Sequence, residues 1–253
     1  MYPNPLKTKL KNGETVLGTS LPAPTAVAAS MVLGTGPDFL WIDLEHQPFD
    51  TESIGSIPIF ARQQGVAPMI RVAWNDPARI KKAYDAGAVA VMVPQVEDAD
   101  QARFAVQCAK YPPEGNRGLS PNWAVVAGLD RDHVMRTANE ETVLVVQIES
   151  QEAFNNLDEI VKVPGIDVLF FGPLDMTASV GKITDTGCEE VQSLMRAFPE
   201  RLDGTGIVPA TTLVDPDEIE EKLDWGYRFM NVGNALAYGC QVLKGSLERL
   251  RSR

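Results

Sequence analysis

The chain has 253 residues, the size of one (β/α)8 barrel or of two ordinary domains, and its 44% hydrophobic and 23% charged content supplies a buried core and excludes wholesale disorder. Lys and Arg number 23 against 34 Asp and Glu, and the resulting net charge of −11 repels phosphate backbones and anionic lipid surfaces, so no nucleic-acid and no membrane partner is expected. No apolar run reaches membrane-spanning length, Gly13 and Glu14 stand where a signal peptide needs its apolar stretch, and Cys108, Cys188 and Cys240 form neither a disulfide framework nor a thiolate zinc pattern, which makes the cytoplasm the expected location.

Short Val-, Ile- and Leu-rich runs near 15–20, 38–43, 68–72, 88–93, 143–148, 166–171, 205–210 and 227–232 read as eight strands separated by amphipathic, helical stretches. Several are apolar on both faces, as in Val89-Ala90-Val91-Met92-Val93 and Val168-Leu169-Phe170-Phe171, which is what a parallel sheet covered by helices requires. The second run leads into Asp43-Leu44-Glu45-His46, and the third carries Arg71. Asp76-Pro77 then opens a helix with Asp as N-cap and Pro in the first turn, and Gly87 punctuates its end. The long connection from about 112 to 142, with its Pro and Gly residues, is expected to be an ordered loop plus a short helix, of the kind that covers active sites. The fifth run ends in Gln147-Ile148-Glu149 and the sixth in Gly172-Pro173-Leu174-Asp175; Asp215-Pro216 repeats the helix-opening device before Gly226. With no linker or low-complexity tract, a single (β/α)8 TIM-barrel domain over 1–253 is the economical fold.

In such a barrel, chemistry gathers at the carboxyl ends of the strands. Glu149 and Asp175 would supply two hard oxygen ligands from adjacent strands and leave open positions for water and substrate, as a catalytic Mg2+ or Mn2+ prefers. The competing reading makes both helix N-caps. Gln147 beside Glu149 tips the balance, since a barrel interior rarely hosts two polar groups without a task. Arg71 suits an enolate oxygen or a ketone carbonyl, or else a structural salt bridge with Asp43 or Glu45. His46, one of two histidines, is of the residue type best suited to proton transfer near neutrality but needs an orienting acid, whereas His133 sits in a polar stretch. The backbone of Gly172, Pro173, Leu174 and Asp175 precedes a helix and so could hold a substrate carboxylate. None of Lys81, Lys82, Lys110, Lys162 or Lys182 falls at a strand end, which points away from imine chemistry. Phosphate-loop, dinucleotide and nucleophile-elbow fingerprints are absent.

With these residues assembled, the chain resembles the HpcH/HpaI family of class II pyruvate aldolases, within the phosphoenolpyruvate/pyruvate barrel superfamily. The stretches that carry the resemblance are 38–46, 84–87, 111–118, 146–150 and 171–179. It implies reversible aldol addition or cleavage of a 4-hydroxy-2-oxo acid, giving pyruvate or hydroxypyruvate plus an aldehyde through a metal-stabilised enolate. It places a divalent ion, Mg2+ or Mn2+ with Co2+ compatible, on Glu149 and Asp175, and the substrate among Gln147, Gly172, Pro173, Leu174 and Thr212. Arg71 would stabilise the enolate, and His46 paired with Asp85 would form the acid/base dyad. It also implies a homo-hexamer, a dimer of trimers, with the last helix, about 235 to 250, exchanged between neighbours.

Thr19, Thr212, the 119–123 loop and Asn234-Ala235 depart from the family's usual residues, which bears on the aldehyde half of the substrate. Two other readings keep the fold. One is a CoA-ester lyase or oxaloacetate decarboxylase using the same enolate. The other is a non-catalytic barrel that binds an oxo acid, against which the joint retention of His46, Asp85 and Arg71 argues.

Overall fold

In the computed structural model, which describes residues 3–252, eight parallel strands close into a barrel in sequence order. They are β1 (Val16–Ser20), β2 (Phe39–Asp43), β3 (Ala67–Arg71), β4 (Ala90–Val93), β5 (Val143–Ile148), β6 (Val168–Phe171), β7 (Val208–Thr212) and β8 (Phe229–Asn231). Pairing of β1 with β8 closes the ring. The (β/α)8 expectation holds, with the largest shift of a strand boundary at β7. β7 begins at Val208 rather than near 205, because Gly204 and Gly206 take φ of 73° and 79° and hold Thr205 in a turn.

Alternation along each strand sorts the core into two shells. Phe39, Trp41, Met69, Met92, Val143, Val145, Val168, Phe170, Ala210 and Phe229 fill the barrel interior, joined by Leu6 and Leu10 of the helix Pro5–Lys11. Leu40, Ile42, Ile70, Val91, Leu144, Val146, Ile148, Leu169 and Phe171 face outward into the layer beneath the helices. Both faces are buried, and that is why the strands read as unbroken apolar runs. Phe39 stacks on Phe229 at 4.3 Å and Trp41 meets Phe170 edge-on at 5.3 Å, making an aromatic floor below the carboxyl-end rim.

The connection from 112 to 142 differs from expectation in place and content. It runs from the end of the helix Ala99–Ala109 to the start of β5, so it lies at the amino-end rim, opposite the strand ends it was expected to cover. It contains two helices, Asn122–Val126 and Arg131–Glu141. Arg117 anchors it, stacked between Tyr84 and Tyr111 and donating to the Ala109 carbonyl at 3.1 Å.

The last helix, Ala235–Arg251, has no buried residue. Asn234 caps it, and the single Tyr238 O–H is shared between the Val214 and Val232 carbonyl oxygens, 2.6 and 2.8 Å from Oη. Among the described residues no helix is long and apolar enough to cross a membrane.

Candidate active site

The inward alternation that fills the barrel continues past its apolar layers. Phe39 and Trp41 are followed by Asp43 and Glu45, Met69 by Arg71, Val143 and Val145 by Gln147 and Glu149, Phe170 by Gly172, Ala210 by Thr212 and Phe229 by Asn231. A two-residue period therefore carries these residues to one carboxyl-end crown.

Arg71 is the pivot of its β2–β3 side. Its Nε and Nη2 donate to the two carboxylate oxygens of Asp43 at 2.9 and 2.7 Å, Nη1 stands 3.1 Å from Glu45 Oε2, and the guanidinium lies 4.8 Å from the Trp41 ring. Two of the five guanidinium N–H groups are hydrogen-bonded to Asp43, and Glu45 Oε2 accepts no hydrogen bond, so donors remain for a ligand. Burial works to raise the Asp43 pKa, but the Arg71 guanidinium and the backbone N–H groups of Glu45 and His46 together hold it below the usual carboxylate range. Burial pushes Glu45 up, with Arg71 and His46 only partly opposing. The salt-bridge reading of Arg71 is thus realised, with N–H groups to spare.

Glu149 is 6% exposed, and its oxygens are held from both sides. Oε1 accepts the backbone N–H of Gln95 at 2.7 Å, and Oε2 accepts from Gln147 Nε2. Neither Glu149 nor Asp175 is an N-cap. Ser150 caps the helix after β5, and the N-cap of Pro173–Ser179 is Gly172, with no side-chain cap bond. Asp175 stands exposed in the first turn of that helix, and its charge reaches both Glu149 and Glu45. Gly172 acts by being small. A Cβ there would lie 2.7 Å from Glu149 Cβ and 2.8 Å from its Oε2, while the Gly172 N–H is engaged by the Ile148 carbonyl at 3.0 Å and is not free for a substrate. The first-turn N–H groups of Leu174 and Asp175 remain without intrahelical acceptors; the Leu174 side chain itself is exposed.

These groups fit a divalent cation. Four carboxylates, of Asp43, Glu45, Glu149 and Asp175, interact electrostatically around the single guanidinium of Arg71. Gln147 Oε1 is buried with no hydrogen-bond partner, a spare hard oxygen beside the Glu149 carboxylate. Among the described residues no cluster of three or more His, Cys, Asp or Glu side chains is arranged to hold a metal, so an ion on Glu149 and Asp175 would have two protein carboxylates and an otherwise open coordination sphere.

Burial, reinforced by the Asp175 charge, pushes the Glu149 carboxyl up to about 8. A raised folded-state pKa favours the fold most at acid pH, and that contribution is lost as pH rises from about 4.3, the unfolded value, towards about 8. A cation entering here displaces the proton. Affinity for Mn2+ is therefore expected to rise about tenfold per pH unit below about 8 and to level off above it; titrations at pH 6, 7, 8 and 9 giving one constant affinity would contradict this.

His46 is 57% exposed, with Nε2 3.6 Å from Glu45 Oε2. Asp85 is not its partner within the chain. It ends the helix Pro77–Asp85, which runs back from the carboxyl-end rim to the amino-end rim, where Arg117 and Lys81 influence it and its buried Oδ1 has no partner. Thr212 faces inward and accepts from Asn231 Nδ2 at 2.9 Å; Thr19 donates to the Gly233 carbonyl at 2.8 Å. Lys110, whose pKa burial lowers, lies at the amino-end rim and donates to the Asn139 carbonyl at 2.5 Å, so it supplies no amine to the crown.

Sequence reasoning missed Asn231 and Gln95. Asn231 carried a signal, a polar residue at the inward register of a strand end. Gln95 carried none, since its contribution is made by the backbone.

A family model described as HpcH/HpaI aldolase/citrate lyase matches residues 18–238. A 2-keto-3-deoxy-L-rhamnonate aldolase of Salmonella dublin is 37% identical over 255 residues, covering 98% of this chain and 94% of its own. Among solved structures, an HpcH/HpaI aldolase/citrate lyase family protein from Burkholderia cenocepacia J2315 superposes with a TM-score of 0.91 at 28% identity, over 98% of this chain and 99% of its own. A citrate synthase superposes at 0.87 with 26% identity, over 98% and 97%.

Proposed function

The chain belongs to the HpcH/HpaI aldolase/citrate lyase family and is a metal-dependent carbon–carbon lyase acting on small molecules, and from that premise we propose that it cleaves a 3-deoxy-4-hydroxy-2-oxo sugar acid to pyruvate and a neutral hydroxyaldehyde at the crown described above. The observation that carries this reading is the excess of carboxylates around Arg71, with Glu149 deeply buried beside the unpartnered Gln147 Oε1. The substrate class follows the rhamnonate aldolase named above.

Glu149 and Asp175 would hold the ion, with Mg2+ or Mn2+ suiting the all-oxygen donors and Co2+ tolerated. When bound, the cation supplies a Lewis-acid charge beside the 2-oxo acid, lowering the energy of enolate formation. The N–H groups of Arg71 not bonded to Asp43 would donate to the oxygen on which negative charge develops. Gln147 would orient the oxo acid, and the N–H groups of Leu174 and Asp175 would receive its carboxylate. Thr212, placed by Asn231, lines the same crown. His46, exposed at the mouth, would take the C4 hydroxyl proton of the substrate during cleavage and return it during addition. Asp85 stands at the opposite rim of its own chain, so a dyad with His46 would require the Asp85 of another copy.

Pyruvate release coupled to lactate dehydrogenase, with EDTA-treated enzyme and with Mg2+ or Mn2+ restored, tests this against a panel of 2-keto-3-deoxy acids. Metal-independent release would overturn it. A second reading, the same enolate used on a CoA ester or oxaloacetate, takes support from the citrate synthase neighbour; it would be favoured by turnover of those substrates with none of any 2-keto-3-deoxy acid. His46→Ala is expected to slow cleavage about 100-fold or more while slowing proton exchange at C3 of pyruvate less. Equal losses, read by NMR in deuterium oxide, would contradict the assigned role.

The last helix supports the proposed assembly. Leu236, Val242, Leu243 and Leu250 are 58–70% exposed, an apolar face left uncovered within the chain, and Val27 and Met31 on the helix Ala26–Leu33 are exposed as well. The proposed hexamer buries this face against a neighbouring copy. Leu243→Glu should lower the sedimenting mass at micromolar concentration; an unchanged mass would contradict the exchange.

A further inference from the structure

We propose that Gln95 is a positioning residue for the Glu149 carboxylate, acting through its backbone rather than its amide. The inference rests on Glu149 being a metal ligand but concerns a different residue and a different kind of contact. Gln95 and Thr184 are the non-glycine residues with positive φ among those described, and Gln95 has φ of 53°. It follows Pro94 at the end of β4, directly over the crown.

The left-handed backbone has a geometric cause. The peptide between Pro94 and Gln95 must aim its N–H at Glu149 Oε1, which it reaches at 2.7 Å, while the chain must turn straight back to bury Val96 completely. A left-handed φ at residue 95 satisfies both. A right-handed φ would require the peptide to flip, turning the Pro94 carbonyl oxygen toward a carboxylate, where the two oxygens repel. Residues other than glycine resist this conformation, so it persists because the surroundings over-determine it.

The consequence falls on the carboxylate. Gln147 Nε2 occupies Oε2 and the Gln95 N–H occupies Oε1, so the plane of the Glu149 carboxylate is fixed from both ends. Without the Gln95 N–H that plane is held at Oε2 alone, and the lone pairs directed at a cation lose part of their aim. The Gln95 side chain adds a weaker tie, with Nε2 3.4 Å from Glu45 Oε1, so that one residue links the carboxylates that follow β2 and β5.

A substitution series separates backbone from amide. Gln95→Gly and Gln95→Asn accept left-handed φ, Gln95→Ala accepts it poorly and Gln95→Val resists it. The dissociation constant for Mn2+, read from the free-ion EPR signal, is expected to stay within about threefold of the parent for Gly and Asn, to weaken for Ala, and to weaken about tenfold or more for Val. In metal-free protein Gln95→Val should lower Tm, and most of that loss should vanish in a Glu149→Ala background, where the N–H has no carboxylate to meet. The proposal is overturned if affinity follows the amide, with Asn tight and Gly weak, or if Val binds as Gly does. It is also overturned if the Tm loss is the same in both backgrounds. If the parent binds no Mn2+ at all, the metal reading fails, and the metal-free Tm comparison still decides the role of Gln95; Ala supplies that comparison if the Val variant does not fold.

Discussion

Replacing Glu149 with Gln is expected to lower metal-dependent turnover by about 1,000-fold or more and to raise the stability of the metal-free protein at pH 8 and above. Removing a Lewis-acid centre withdraws several kcal/mol of transition-state stabilisation, and each 1.4 kcal/mol is tenfold in rate. The stability gain has a separate origin. Glu149 is 6% exposed, flanked by the Asp175 charge, and its carboxyl is pushed up to about 8, so ionising it costs the fold free energy that an uncharged amide of the same size does not. Asp175→Asn should abolish turnover to a similar extent with little change in Tm, because that side chain is exposed and carries no hydrogen bond that supports the fold. Loss of activity without the gain at high pH for Glu149→Gln would mean that Glu149 is not the strained carboxylate described.

Arg71→Ala is expected to reduce kcat about 100- to 1,000-fold, the usual loss when a preorganised donor to a developing oxyanion is removed. It should also destabilise the fold by about 3 kcal/mol, because the Asp43 and Glu45 carboxyls, with side chains 13% and 8% exposed, would lose the guanidinium that offsets the cost of their burial. Arg71→Lys separates the two effects. A lysine ammonium restores a positive charge between the carboxylates and part of the stability. It cannot reproduce contacts to Asp43 and Glu45 through Nε, Nη2 and Nη1 and still present donors to a substrate. Thermal unfolding and steady-state kinetics on both variants check this; full activity in the lysine variant would show that charge alone suffices.

The parts of the site that were legible in the sequence are those fixed by alternation. Once Val143 and Val145 are taken as barrel-filling, Gln147 and Glu149 must face the same way, and the same argument delivers Arg71 from Met69. What alternation cannot show is contact across the sequence. That Arg71 joins Asp43 and Glu45 at once, and that Gly172 is glycine because Glu149 Cβ occupies the space a side chain would need, are facts of packing between strands.

The connection from 112 to 142 was misplaced because its length and its prolines suggest a functional loop but do not say which rim it occupies. The helix Ala99–Ala109 decides that, by running from the carboxyl-end rim to the other before the connection begins. Asp85 follows the same rule at the end of its own helix, which is why the dyad with His46 does not form inside one chain. Gln95 was invisible for a different reason: its backbone angle and its N–H are properties that a side-chain pattern does not encode.

The account stands on a cation held between two acidic side chains that follow adjacent strands, and crystals grown with Mn2+ and pyruvate test it most directly. An anomalous difference peak in contact with Glu149 and Asp175, with the carboxylate and keto oxygens of pyruvate completing its shell, is the predicted result. A well-ordered crown with pyruvate bound elsewhere, and with Glu149 and Asp175 turned apart with no ion between them, would contradict it.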